Sequence, residues 1–198
     1  MANKTASNSL PPAVKRVAEA FRLTGWISFW AQLVLAIISA IVILFAGANV
    51  GGGAAAGQAG AVAANPGTGG GLFFAVLGLI ALFAGAYWAF SYTRLARRLK
   101  TPDAQVRPKR GDAIKALRIG LLINLSGMLL TILGAQAIVG SLLIKSLAQV
   151  GGIFSGNLSR FVTPLDVFVV QANTNTILAH FIAVIATLWL IQVMNRQG

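Results

Sequence analysis

Four long apolar runs organise the chain, and the stretches between them are either charged or rich in glycine. No charged residue occurs between Arg22 and Arg94, between Arg118 and Lys145, or between Asp166 and Arg196. A helix needs roughly 20 predominantly apolar residues to cross a bilayer. The three gaps hold four such stretches, at residues 26–46, 72–91, 119–143 and 176–194. The first is too long for a signal-peptide core of about 7–15 residues. The pattern therefore predicts an all-α, polytopic membrane protein with four transmembrane helices.

The segments beside the spans differ from one another. Residues 1–25 form an inner N-terminal segment. After Pro11 and Pro12, Val14, Val17, Ala18 and Phe21 share one helical face, while Lys15, Glu19 and Arg22 share the other. This periodicity fits a basic amphipathic helix on the inner membrane surface, and equally a helical extension of the first span. Residues 47–71 carry ten glycines in 25 positions and no charge, which predicts a flexible outer loop. Residues 92–118 form a basic inner loop containing Pro102 and Pro108. Residues 144–175 form an outer segment that is partly apolar. Within it, Thr163, Pro164 and Asp166 have the spacing of a helix start. A helix from Pro164 to Met194 would overshoot the bilayer, so a break or bend is expected at Asn173–Asn175, where Asn-Thr-Asn is poor helix interior.

Composition agrees with a lipid environment. Hydrophobic residues make up 57% of the chain and charged residues only 10%, against about 25% charged in average soluble proteins. The net charge of +12 is distributed unevenly. Fourteen of the 16 Lys and Arg fall in the N-terminal segment, the 92–118 loop and the C-terminal tail; only Lys145 and Arg160 fall on the other side. The positive-inside rule then places both termini inside. Trp26, Trp30, Trp88 and Trp189 all sit in the inner halves of their spans, as an aromatic belt at the headgroup level would. Bases that flank apolar spans, rather than lining a soluble face, argue against nucleic acid as a partner. Arg94, Arg97, Arg98, Lys100, Arg107, Lys109 and Arg110 instead suit anionic lipid headgroups or an acidic partner.

Candidate chemistry is sparse. Cysteine is absent, the four carboxylates are Glu19, Asp103, Asp112 and Asp166, and there is one histidine. No nucleotide loop or metal-ligand spacing appears, so the chain reads as a non-enzyme with no evident cofactor. Polar residues inside the spans are more informative. Ser28, Gln32 and Ser39 share a face of the first span. Asn124, Met128 and Thr131 share a face of the third, with Gln136 further out. Asp166, Asn173, Thr176, His180 and Thr187 share a face of the fourth if that helix is continuous. Such faces must turn inward in lipid. Gln32, Asn124, Met128, Thr131, Asn173, Thr176 and His180 outline a candidate polar path; interhelical hydrogen bonding explains the same residues. For a transported metal ion, His180 and Asp166 are the candidate ligands. Ala81, Gly85 and Ala89, and Ala36 with Ala40, form small-residue ridges suited to close helix packing.

The blocks FRLTGWISFWAQLVLAIISA (21–40), YWAFSYTRLARRLK (87–100), GLLINLSGMLLTILGAQAIVG (120–140) and LDVFVVQANTNTILAHF (165–181) resemble a family of cyanobacteria and plastids. Its plastid members are inner-envelope proteins described as the "permease in chloroplasts", or as a small subunit of the inner-envelope protein translocon. The resemblance implies a four-helix membrane protein with two competing functions, iron permeation or participation in protein import; with Gln32, Asn124 and His180 inside the spans, support of transport, of iron or another metal ion, is the leading expectation, and a non-transporting translocon or assembly subunit the alternative. With no Ser- and Arg-rich leader of the transit-peptide type, the expected setting is the plasma or thylakoid membrane of a cyanobacterium. Four short spans enclose little volume, so a transport route would call for a homo-oligomer or a larger membrane complex.

Overall fold

The computed structural model describes residues 11–50, 66–101, 103, 105, 107–155 and 162–196. Among these residues there are four long helices: α1 (Pro12–Val50), α2 (Pro66–Leu99), α3 (Arg110–Ser155) and α4 (Pro164–Arg196). Three of them begin on proline, whose fixed φ suits the first helical position and whose missing N–H would have no partner there. All four are long and apolar enough to span a membrane. At about 1.5 Å per residue, the 46 residues of α3 reach about 69 Å and the 39 of α1 about 58 Å. Each helix therefore projects well beyond a hydrocarbon core of about 30 Å.

These lengths correct several sequence boundaries. Residues 47–50 and 66–71 of the expected glycine loop are helical; residues 51–65 of it lie outside the described residues. Most of the basic segment 92–118 belongs to helix ends, with residues 100–109 left as the connection. Arg97 and Arg98 occupy the last turn of α2 and Asp112 the first turn of α3, where each complements the helix dipole. Residues 144–155 continue α3 rather than starting a separate outer segment. Of the two readings of residues 12–25, the structure has the extension: α1 is uninterrupted, and Ala18 and Phe21 are fully buried against the bundle. The break expected at Asn173–Asn175 does not occur, because α4 runs through it. The side chains there find partners without disturbing the helix. Asn173 Nδ2 donates to the Thr131 carbonyl of α3 at 2.9 Å, and Thr174 Oγ1 to its own helix at Val170 O, 2.9 Å.

The helices run up and down in a ring. α1 packs on α2 and α4, α3 packs on α2 and α4, and only a slight contact crosses the α2–α4 diagonal. Two apolar clusters mark the ends of the bundle. At the basic end, Phe21, Tyr92, Leu117, Leu190 and Met194 pack together. At the other, Ala36, Ile43, Leu79, Leu82 and Ile138 pack with Ala172 and Ala179. Ser28, Gln32, Asn124, His180 and Thr187 lie between these clusters, and Ser39, Asn173 and Thr176 lie at the level of the second. Outside, large apolar side chains face away from the protein, Leu44 72% and Leu147 73% exposed among them. Small and polar residues within and large apolar residues without is the arrangement expected when lipid is the solvent.

On α3 the buried positions are Ala113, Leu117, Gly120, Asn124, Gly127, Thr131, Gly134 and Ile138. They alternate steps of four and three, the 3.5-residue period of helices packed lengthwise. Every second one of the middle six is glycine. The facing helix α2 carries Gly71, Gly78 and Gly85 at the same seven-residue interval. A Cβ on Gly134 would stand 2.9 Å from Ala75 N and 3.0 Å from Gly71 O, and one on Gly71 would stand 2.7 Å from Ile138 Cγ1. The two backbones thus meet directly at the Gly71–Gly134 end of a glycine seam.

Gly134→Ala should cost about 1–3 kcal/mol, because backbone on α2 cannot yield to the new methyl. Gly140→Ala on the same helix meets nothing within 4 Å and should be neutral or slightly stabilising. Thermal midpoints of the purified variants in one detergent would separate the two; equal midpoints would contradict the seam.

Candidate functional site

The middle of the bundle holds a polar layer to which all four helices contribute. Ser28, Gln32 and Ser39 come from α1, Asn124 and Thr131 from α3, and Asn173, Thr176, His180 and Thr187 from α4; all are buried. From α2, which supplies no polar side chain at this level, the Gly78 carbonyl takes part. His180 is the centre. Its Nε2 lies 3.2 Å from Gly78 O, and its Nδ1 lies 3.1 Å from Asn124 Oδ1. Three helices are joined through one imidazole.

Glycines make this geometry accessible. A Cβ on Gly127 would collide with Cε1 of His180 and come within 2.6 Å of its Nε2. A Cβ on Gly78 would collide with Thr131 Oγ1. At Gly85 the same atom would be 2.7 Å from both Asn124 Oδ1 and Gln32 Oε1. Gly78 and Gly127 are the site residues that the analysis of polar faces missed. The signal that reveals them is the seven-residue glycine period shared by α2 and α3.

The hydrogen bonds fall into two groups. Several polar side chains donate within their own helix, to a carbonyl four residues back: Asn124 Nδ2 to Gly120 O at 2.8 Å, Thr131 Oγ1 to Gly127 O at 2.7 Å, Thr176 Oγ1 to Ala172 O at 3.0 Å and Thr187 Oγ1 to Ala183 O at 2.8 Å. Gln32 Nε2 likewise reaches Ser28 Oγ at 2.9 Å. Others cross between helices: the two His180 contacts, Asn173 Nδ2 to Thr131 O, and Ser39 Oγ to Ala172 O at 2.8 Å. Two buried oxygens, Gln32 Oε1 and Asn173 Oδ1, have no partner. Oxygen acceptors thus outnumber donors here. A carbonyl accepts only, so Nε2 of His180 carries its hydrogen. With the Asn124 amide committed to Gly120, Nδ1 also faces an acceptor.

Of the expected path residues, Gln32, Asn124, Thr131, Asn173, Thr176 and His180 come together; Met128 is only half-buried, and Gln136 is exposed. The two candidate metal ligands do not meet. Asp166 and His180 are 14 residues apart on one continuous helix, about 21 Å, so they cannot hold one ion together. Among the described residues no three His, Cys, Asp or Glu form a group. Asp166 has a different role. Its carboxylate accepts from Thr163 N at 2.9 Å while Thr163 Oγ1 accepts from Asp166 N at 3.3 Å, a reciprocal cap on α4. Lys145 Nζ of α3 pairs with it at 3.0 Å. Partial burial pushes the Asp166 carboxyl upward, but the Thr163 and Lys145 hydrogen bonds and the Lys145 charge outweigh it, leaving the group below its ordinary value.

At the opposite end Arg94, Arg97 and Arg98 are exposed on the last turns of α2 and Lys109 and Arg110 at the start of α3; Lys100 and Arg107 are half-buried. Arg107 Nη2 donates to Thr101 O at 3.1 Å, and Arg94 lies 5.1 Å over the Phe90 ring. Trp26, Trp30 and Trp189 are nearly half exposed. Trp88 departs from the expected belt by turning inward, its Nε1 donating to Ala116 O of α3 at 2.8 Å.

A family described as "Protein of unknown function (DUF3611)" matches residues 11–195, and so takes in all four helices and the whole polar layer. Protein TIC 21, chloroplastic, of Arabidopsis thaliana is 34% identical over 185 residues, covering 90% of this chain. The chain spans 58% of that relative's length. No solved structure matches.

His180→Ala should lower stability by about 1–3 kcal/mol through orphaned acceptors and lost packing. Gln32→Met removes an oxygen that has no partner together with a donor to Ser28, and should cost less than about 1 kcal/mol. Chemical denaturation in mixed micelles compares the two. At the α4 cap, the depressed Asp166 carboxyl contributes stability that is complete above its ordinary pKa of about 3.9. That contribution is lost as pH falls through the lower folded-state value. Asp166→Asn should lack this acid-sensitive component, read as the pH dependence of the thermal midpoint.

Proposed function

The chain belongs to the DUF3611 family of membrane proteins, and from that premise we propose that it is a non-catalytic subunit of a membrane protein assembly, of the kind a protein translocon contains. The observation that carries this reading is the use of the polar layer. Its cross-helix hydrogen bonds join α1 to α4, α3 to α4 and α2 to α4, so Ser39, Asn173 and His180 hold the bundle together while most of the other polar side chains are absorbed within their own helices. The apolar faces and the ends of α1 and α3 that outrun a bilayer remain for neighbours. The relationship to Protein TIC 21, chloroplastic, supports the same reading. The chain would sit with both termini and the 100–109 connection on the inner side, because that end holds most of the bases. There Arg94, Arg97, Arg98, Lys100, Arg107, Lys109 and Arg110 would meet anionic headgroups or an acidic partner. The resemblance to cyanobacterial proteins supports a plasma or thylakoid membrane.

A second reading is permeation of a metal ion such as iron. What favours it is the pair of unpartnered buried oxygens, Gln32 Oε1 and Asn173 Oδ1, which would suit a passing cation. Asp166, locked in its cap and ion pair, would take no direct part. Because four helices leave little interior room, this route would need several copies.

Gentle detergent extraction from the native membrane, followed by native gel electrophoresis and mass spectrometry, should find the protein with other chains in a larger complex. Recovery only as a homo-oligomer would count against the assembly reading. Proteoliposomes of the purified chain should take up iron no faster than empty vesicles, beside a known transporter as positive control; protein-dependent uptake would favour permeation. Impermeant labelling of Lys109→Cys should occur from the inner side only.

A further inference from the structure

We propose that the groove between α1 and α2 at the basic end is a binding site for one anionic phospholipid. Two cavities lie end to end along this helix pair. The larger, about 920 Å³, has Arg16 and Arg22 of α1 and Arg97 and Lys100 of α2 on its walls, with Glu19 as its one carboxylate. The smaller, about 250 Å³, is walled by Phe29 and Leu33 of α1 and by Phe83, Tyr87 and Phe90 of α2. Phe90 lines both. The Phe29 and Phe90 rings, 5.5 Å between centroids, link α1 to α2 within the groove.

The order of chemistries matches the occupant. Arg16, Arg22, Arg97 and Lys100 gather four cations against one acid, and among the described residues none of them is in an ion pair. A diester phosphate with net negative charge satisfies this excess in a way that a zwitterionic lipid does not. Leu23 and Trp26, on the larger cavity's wall, carry the lining from charged to apolar. The aromatic groove beyond is apolar and opens toward the lipid, as an acyl chain requires. From Arg16 to Leu33 along α1 is 17 residues, about 25 Å. One leaflet, half of a bilayer about 40–45 Å thick including its headgroups, has nearly that depth. The site is independent of which partner or substrate the protein serves, since it faces outward from the bundle and shares no residue with the polar layer.

The test is native mass spectrometry of the full-length protein from micelles containing equal phosphatidylglycerol and phosphatidylcholine. The wild-type chain should retain phosphatidylglycerol at least about fivefold over phosphatidylcholine. The Arg22→Gln/Arg97→Gln double variant should bring the ratio near one, while Lys115→Gln/Arg118→Gln, which removes two exposed bases elsewhere, should leave it unchanged. Leu33→Trp fills the aromatic groove without touching a charge and should reduce bound lipid of either kind. Circular dichroism checks that each variant is folded. Equal retention of the two lipids by the wild type, or equal losses in the two double variants, would overturn the proposal. So would displacement of the lipid by inorganic phosphate or by an acidic peptide, which would make the groove an anion or protein site instead.

Discussion

Where α2 and α3 meet, glycine at every seventh position brings the two backbones into contact at Gly71 and Gly134 and elsewhere leaves room for side chains of the polar layer. Within hydrocarbon there is no hydrophobic force to bring helices together, so close van der Waals contact and interhelical hydrogen bonds must do so. The seam from Gly71 to Gly85 and from Gly120 to Gly134 provides the contact. It also exposes what a side chain would cover. The Gly78 carbonyl becomes reachable by His180, and the space beside Gly127 becomes large enough for the imidazole. Without that seam the polar layer would have no room to form.

The layer itself is unevenly satisfied. Threonine and asparagine hydroxyls and amides are mostly absorbed by carbonyls one turn back on their own helices, a self-contained arrangement that any bundle tolerates. His180, Asn173 and Ser39 are different because each bonds across a helix interface. They fix the register of α4 against its neighbours, including through Asn173–Asn175, where local preference would have bent the helix. The excess of acceptors around Gln32 and Asn124 is the one part of the layer that bundle stability does not account for. A buried carbonyl without a partner costs about 1–3 kcal/mol, and Gln32 Oε1 and Asn173 Oδ1 are two such oxygens.

Function would then be divided along the bundle axis. The basic end carries the exposed arginines, the tryptophans and the outward groove between α1 and α2. The middle holds the helices in register. The far end is closed by the Lys145–Asp166 pair, which ties the projecting part of α3 to the capped start of α4. A scaffold made this way presents rigid, overlong helices to whatever surrounds it. That suits a subunit of an assembly better than it suits a four-helix channel with a filled interior.

Membrane class, helix number, the clustering of bases toward one end and the inward-facing polar residues were all legible in the chain. They depend on local composition: charge-free runs of bilayer length, and polar residues at helical spacing that lipid would reject. The Thr163–Asp166 cap was legible for the same reason, since its partners are three residues apart. Helix ends were not, because the glycines, alanines and charges of the extra turns do not by composition distinguish helix from loop. Nor was the continuity of α4 through Asn173–Asn175, where a bond to Thr131, 42 residues away in sequence, outweighs local preference. Sequence alone placed Asp166 and His180 on one face. The uninterrupted helix then separated them by about 21 Å and sent one to an outer cap and the other to the centre. Pairing across helices is a property of distance in space, and only the folded bundle defines it.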